Sequence, residues 1–306
     1  MKPFFKPHSG GVVPVLCLIT SIILSFALAG PSGRSVFISA VDSILPYSPR
    51  FDEAPSPSPS PYAESERILE LFGVETVFGE NVRRSFGGYD LKPETDTELI
   101  LSALDTVRTT LAVFPDGFFR KLAEKGKLPI RIELCGEIVN RFPLFGLAGT
   151  ADGARVIALS ISNENAPVGA TLVHELCHVI DLTLDSLAGN DPSCWNADDW
   201  LLLCPPGFSY YGGYCDPDGE PYSLVGDPSF TAEDAGGAGI WFINRSSKIS
   251  PYEDRAEIFE ALFLLGPDSH IMKSPQIAAK LEYCERAARY YLGIAYVIGA
   301  YEKGTA

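Results

Sequence analysis

His174, Glu175 and His178 stand in the order His-Glu-Leu-Cys-His over residues 174–178. On a helix, positions i and i+4 share a face. Two imidazoles placed so can take one zinc ion between them. The Glu beside the first His then points at the water that the ion activates and can accept its proton. The chemistry implied is zinc-dependent hydrolysis, with a peptide bond as the foremost target. Three fixed positions in five also arise by chance, so the flanking residues must decide. Leu172, Val173, Leu176, Val179 and Ile180 recur at helical spacing, and Asn163, Asn165 or Pro167 can open the helix. A motif inside so apolar a helix is buried, and two His with a Glu would be costly there without a metal.

A catalytic zinc needs a third protein ligand and leaves its fourth position to water. The residues after His178, Val-Ile-Asp-Leu-Thr-Leu, hold no third His at the spacing of the three-His peptidases. The third ligand is therefore expected to be a carboxylate on a later helix. Residues 251–263 offer Glu253 and Glu257, one turn apart behind Pro251, a good first-turn residue. The spacing leaves open which of the two binds. The competing reading of this stretch is a surface helix carrying solvated acids. Asp181 or Glu257 is placed to orient a ligand His.

His174-Glu175-x-x-His178 followed by Glu253-x-x-x-Glu257 resembles the arrangement of the gluzincins, the zinc peptidases with two His and one Glu. The run Glu253-Asp254-Arg255-Ala256-Glu257-Ile258-Phe259 is similar to the corresponding helix of the lethal-factor-like branch and of related bacterial zinc-binding metallopeptidases. The likeness covers two short helices, roughly thirty residues, and nothing outside them. It implies Zn2+ held by His174, His178 and Glu253, with Glu175 as general base. Glu257 would be an acceptor behind a ligand His, or with the roles exchanged the ligand itself. It also implies an α+β, zincin-like domain: a small sheet packed on the motif helix, with a mostly helical remainder. The lethal-factor-like proteins carry a Tyr several residues before the Glu. Here Phe242 to Lys248 holds none, and Tyr210, Tyr211, Tyr214, Tyr222, Tyr252, Arg245 and His270 are the candidates to stabilise a developing oxyanion.

Those residues need elements to place them. Glu64–Phe72, Thr95–Phe114 and Phe118–Lys125 read as amphipathic helices, and 276–302 as a long final one. Leu128–Val139 and Arg155–Ser162 read as strands, with a Gly-rich turn region at 144–153 between them. The strand at 155–162 is the candidate edge on which an extended peptide would lie, against the plainer reading of a central strand. Residues 183–250 read as a long insertion rich in Gly, Pro, Asp, aromatics and Cys, suited to a lid or cleft wall. Asp191, Asp198, Asp199, Asp216, Asp218 and Asp227 give it a weak calcium option, without a twelve-residue calcium loop.

Composition sets the surroundings. The chain has 306 residues, a formal charge of -15 and a sequence pI of about 4.7. That acidity argues against nucleic acid as a partner. Lys2 and Lys6 precede the apolar run Val12 to Ala29, and Ala27-Leu28-Ala29 ends it. Residues 1–29 therefore read as a signal peptide or membrane anchor. Residues 30–61, with Pro-Ser repeats at 55–61, read as a disordered linker and 62–306 as the folded domain. Export would permit disulfides, and one is expected among Cys194, Cys204 and Cys215. Cys177 reads as core packing. The expectation is a secreted or membrane- or wall-tethered zinc peptidase acting on peptide or protein. The alternative is a non-catalytic cell-surface binding module with a structural zinc or none.

Overall fold

The computed structural model describes residues 60–139, 143–162, 167–234 and 239–294. The segment read as a signal or anchor lies outside them, as do the linker up to residue 59, Asn163 and Asn165, and the end of the last helix from 295. The first helix, α1 (Pro61–Phe72), is capped by Ser60 and stopped by Gly73 in the left-handed region. Strand β1 (Val74–Phe78), a 3₁₀ turn (Gly79–Asn81), β2 (Ser85–Phe86) and β3 (Tyr89–Pro93) follow. Next come α2 (Thr97–Leu111), whose first turn is held by the Asp96 carboxylate, and α3 (Phe118–Gly126).

Strands β4 (Ile130–Val139), β5 (Pro143–Leu144), β6 (Gly146–Ala151) and β7 (Ala154–Ser160) complete one mixed sheet, ordered β2-β3-β4-β7-β6 with β1 and β5 also paired to β4. Strand β7 lies parallel to β4 from Ile130↔Arg155 to Cys135↔Ser160. Strand β6 runs antiparallel to β7 from Gly146↔Leu159 to Ala151↔Ala154. This corrects the expected edge: β7 is flanked on both sides, and β6 is the outermost strand among the described residues. The stretch read as a Gly-rich turn is thus a strand. Gly and Ala give it little propensity of its own, and its ladder to β7 holds it.

The motif helix, α4 (Val168–Ala188), follows β7 and lies across β6 and β7. It extends to Ala188, so residues 183–188 of the stretch read as insertion are its final turns. Beyond it α5 (Ala197–Leu201) and α6 (Tyr222–Val225) are short turns in otherwise irregular chain. Helix α7 (Pro251–Leu265) packs on α4, and α8 (Pro275–Leu292) closes the domain. One sheet face buries Ile132, Leu134, Ile157 and Leu159 with Leu172, Leu176 and Val179 of α4. The other buries Val156, Ala158 and Ile138 under Val82, Phe86 and Leu91. The alternation along β4 and β7 thus feeds two cores. The mixed helix-and-sheet architecture agrees with the α+β expectation.

Among the described residues all six Cys are free thiols, which corrects the expected disulfide. The three insertion thiols stand in different surroundings. Cys204 is buried with its sulfur 3.3 Å from Tyr210 Oη, Cys194 is half-buried, and Cys215 is exposed in a bridge to Pro221. The six insertion Asp form no metal-holding group among the described residues. Asp191, Asp216 and Asp227 accept local bonds that shape turns.

Candidate metal centre

Helix α4 delivers His174 and His178 on one face, with ring centroids 4.9 Å apart. Helix α7 delivers Glu253 to the same point. Ser250 Oγ accepts from Glu253 N at 3.2 Å and Pro251 opens the helix, so Glu253 falls in its first turn. Ser250-x-x-Glu253 has the spacing of a capping box, in which the Glu would turn back to the cap. Its carboxylate turns instead toward the imidazoles: Oε2 lies 3.5 Å from His174 Nε2, and Oε1 lies 3.9 Å from His178 Nε2. Ligand atoms of the three residues all lie within 4.8 Å of one another, and all three residues are fully buried.

Several of those buried atoms have no hydrogen-bond partner: Nε2 of His174, both ring nitrogens of His178, and Oε2 of Glu253. Buried polar atoms are normally satisfied, so a convergent set of orphaned donors fits a cation. Two imidazoles and a carboxylate are the ligand types zinc prefers. Burial, with the nearby His174 and Arg255, holds His178 well below the ordinary His range and therefore neutral, as a metal ligand must be. Burial also pulls on His174, but Glu253 and Glu260 outweigh it and raise its pKa well above the ordinary value. Glu175, the next residue on α4, is fully buried.

The residue behind His174 is Glu260, which the sequence reading missed. Its Oε2 lies 3.0 Å from His174 Nδ1, the nitrogen facing away from Glu253. Glu260 follows Glu253 by seven positions, two helical turns, so helical spacing was the signal available. The two residues expected in that role act elsewhere. Glu257 accepts from Asn244 Nδ2 at 2.6 Å, and burial next to Glu260 pushes its pKa up to about 8. Asp181 accepts from Arg255 Nε at 2.7 Å in a buried pair joining α4 to α7. Burial pushes the Asp181 pKa up to about 7, although the guanidinium opposes it. Arg255 in turn lies over Trp195 at 4.6 Å, Trp200 at 4.9 Å and Tyr252 at 5.0 Å. Glu257 does have a place in a second group of potential ligands, with His174 and Glu260. In that group Asn244 holds Oε2 of Glu257, and Oε2 of Glu260 contacts His174 Nδ1.

Among the candidate donors, Tyr214 reaches the centre: its hydroxyl donates to Glu253 Oε1 at 3.4 Å. The other tyrosines are committed. Tyr210 donates to Asp254 Oδ2, Tyr252 donates to Asp185 Oδ2, and Tyr211 stacks on Tyr222 at 4.3 Å. Arg245 binds the Leu224 carbonyl, and His270 is exposed in a turn. Tyr214 is held in place from both sides. Tyr222 N donates to its carbonyl, and Tyr211 N and Gly212 N donate to the carbonyls of Lys248 and Ile249, just before α7. The aromatic insertion therefore forms a wall of the centre.

No family model matches the chain, and no curated protein matches it. Among solved structures, the crystal structure of a "putative zinc-binding metallo-peptidase" from Bacteroides caccae ATCC 43185 aligns with 80% of this chain and 92% of its own, at 14% identity and a TM-score of 0.43. So loose a superposition transfers neither a fold assignment nor a residue's role.

Proposed function

We propose that this chain is a zinc-dependent peptidase in which His174, His178 and Glu253 hold the metal. The observation that carries the reading is the buried His-His-Glu triad, in which Nε2 of His174, both ring nitrogens of His178 and Oε2 of Glu253 lack hydrogen-bond partners. Among the described residues the group contains three donors and not four, which suits a catalytic site better than a closed structural one. Zinc bound there would polarise a carbonyl oxygen and make a nearby water acidic. Glu175 takes the proton from that water as its oxygen attacks the peptide carbon, and delivers it to the leaving amine as the C–N bond breaks. Glu260 keeps the His174 ring oriented with Nε2 toward the metal position. Tyr214 is the hydroxyl placed to donate to the carbonyl oxygen as it gains charge.

Strand β6 is the outermost strand among the described residues, and its residues 146 to 149 are all buried. Ser160 N donates to the Phe145 carbonyl, so residues 145, 147 and 149 face β7. By the alternation of an antiparallel ladder, the main-chain groups of Gly146 and Ala148 point outward.

Metal content and proteolysis test the reading. Purified protein should carry one equivalent of zinc, lost in Glu253→Ala and kept in Glu257→Ala. It should cleave an unfolded protein substrate, and Glu175→Gln should lower cleavage by about 100- to 10,000-fold, to a small residual rate, while zinc stays bound. Folded wild-type protein without zinc would refute the peptidase and favour the binding-module alternative. Export, anchoring and location are part of the same proposal, resting on Lys2, Lys6 and the apolar run Val12 to Ala29.

A further inference from the structure

Strand β6 carries two glycines, Gly146 and Gly149, and neither has a left-handed backbone. The backbone therefore does not explain why they are glycine. The space around them does, and differently on the two faces. A Cβ at Gly149 would stand 3.1 Å from the tip of the Phe86 ring, a tight contact that a ring can relieve. A Cβ at Gly146 would stand 2.6 Å from Glu175 Oε1, 2.7 Å from Glu175 Cγ and 2.6 Å from Thr171 Cγ2. Thr171 and Glu175 are one turn apart on α4, so the helix face that carries the base rests directly on this peptide unit. Interior glycine weakens a strand, and it commonly marks the point where another group approaches closely.

We infer that Gly146 is a positioning residue for Glu175: the space left by its missing side chain is the space the general-base carboxylate occupies against β6. This rests on the peptidase reading. Glu175 is fully buried and Thr171 fills the neighbouring position, so an added side chain is not accommodated without a shift. Any side chain at 146 must therefore turn the base or push β6 off α4. Both move the proton acceptor relative to the metal position. His174, His178 and Glu253 supply none of the three atoms nearest the new one.

The test compares Gly146→Ala with Gly149→Ala in the zinc-loaded protein. Both make the same change to one strand, on opposite faces. Gly146→Ala should keep one equivalent of zinc and lower kcat by about 100-fold with KM little changed, the scale expected of a misplacement of about 1 Å. Gly149→Ala should leave kcat within about twofold. In the Glu175→Gln background, Gly146→Ala should change the residual rate by less than about twofold, because the residue acts through the base. If Gly146→Ala fails to fold, the double variant Gly146→Ala/Thr171→Ser removes one of the clashing methyls, and the same cycle is run on it. A Gly146→Ala enzyme as active as wild type, or an equal fold-loss with Glu175 present and absent, would overturn the inference. A wild type without zinc or proteolysis would instead refute the peptidase reading. A crystal structure of Gly146→Ala would still report the position of Glu175: displacement supports the close-packing inference, and an unmoved carboxylate overturns it.

Discussion

Two carboxylates of α7 differ sharply in role although both face α4. Glu260 contacts His174 Nδ1, so Glu260→Ala should weaken zinc binding by about 10- to 100-fold, measured by competition with a chromophoric chelator. Glu257 is buried with its pKa raised to about 8 and is bonded to Asn244. A carboxyl whose folded pKa lies above its unfolded value favours folding at low pH, and that contribution fades as pH rises. The loss runs from about pH 4.5, the ordinary value, to about pH 8. Glu257→Gln keeps an acceptor for Asn244 and removes the charge. The metal-free variant should therefore melt higher than wild type at pH 8, with the gap closing toward pH 5. Equal differences at both pH values in a thermal scan would refute this account.

At the scale of elements, α4 and α7 cross with polar links on either side of the metal position. His174 meets Glu260 on one side, while Asp181 meets Arg255 and Asp185 meets Tyr252 on the other. These links set the helix spacing before any metal arrives. Asp181→Ala would leave Arg255 buried without its carboxylate, beneath Trp195 and Trp200. The expected cost is about 3–5 kcal/mol in denaturant unfolding. Asp181→Leu combined with Arg255→Met replaces the pair by apolar groups and should cost markedly less. A single variant with unchanged stability would mean that the pair does not hold the helices. The insertion is fastened to α7 and α8, through Tyr210 to Asp254 and through Lys280 to the Trp241 carbonyl. Its irregular chain is thus tied to α7 beside Glu253.

For the whole molecule, ligand linkage and the free thiols give two checks. Zinc that binds only the folded chain should stabilise it by about 2.7 kcal/mol at a free concentration 100 times Kd. A chelator should therefore lower the melting temperature, and wild type should lose more than Glu253→Ala. Reductant should leave the melting temperature unchanged, since no disulfide crosses the described fold. A drop in reductant would show a cross-link that this structure lacks.

The two site helices were legible in the chain because their signals are local. The apolar spacing around His174 and His178, and Pro251 ahead of Glu253, are set by neighbours a turn away. The same holds for β4 and β7, whose apolar runs mark their burial on both faces. Four things lay beyond local pattern. The edge belongs to β6, because pairing with β7 makes a strand of a Gly- and Ala-rich run. Glu260, and not Glu257 or Asp181, meets His174, because the crossing of α4 on α7 sets which turns face each other. Tyr214 reaches Glu253, because the insertion is bonded to residues 248 and 249. Gly146 matters only where β6 touches the base. The sequence determined which residues can bind a metal and which helices carry them. Tertiary packing decided which groups stand behind and beside them, since those contacts join residues 29 to 86 positions apart. No local periodicity encodes contacts at that separation.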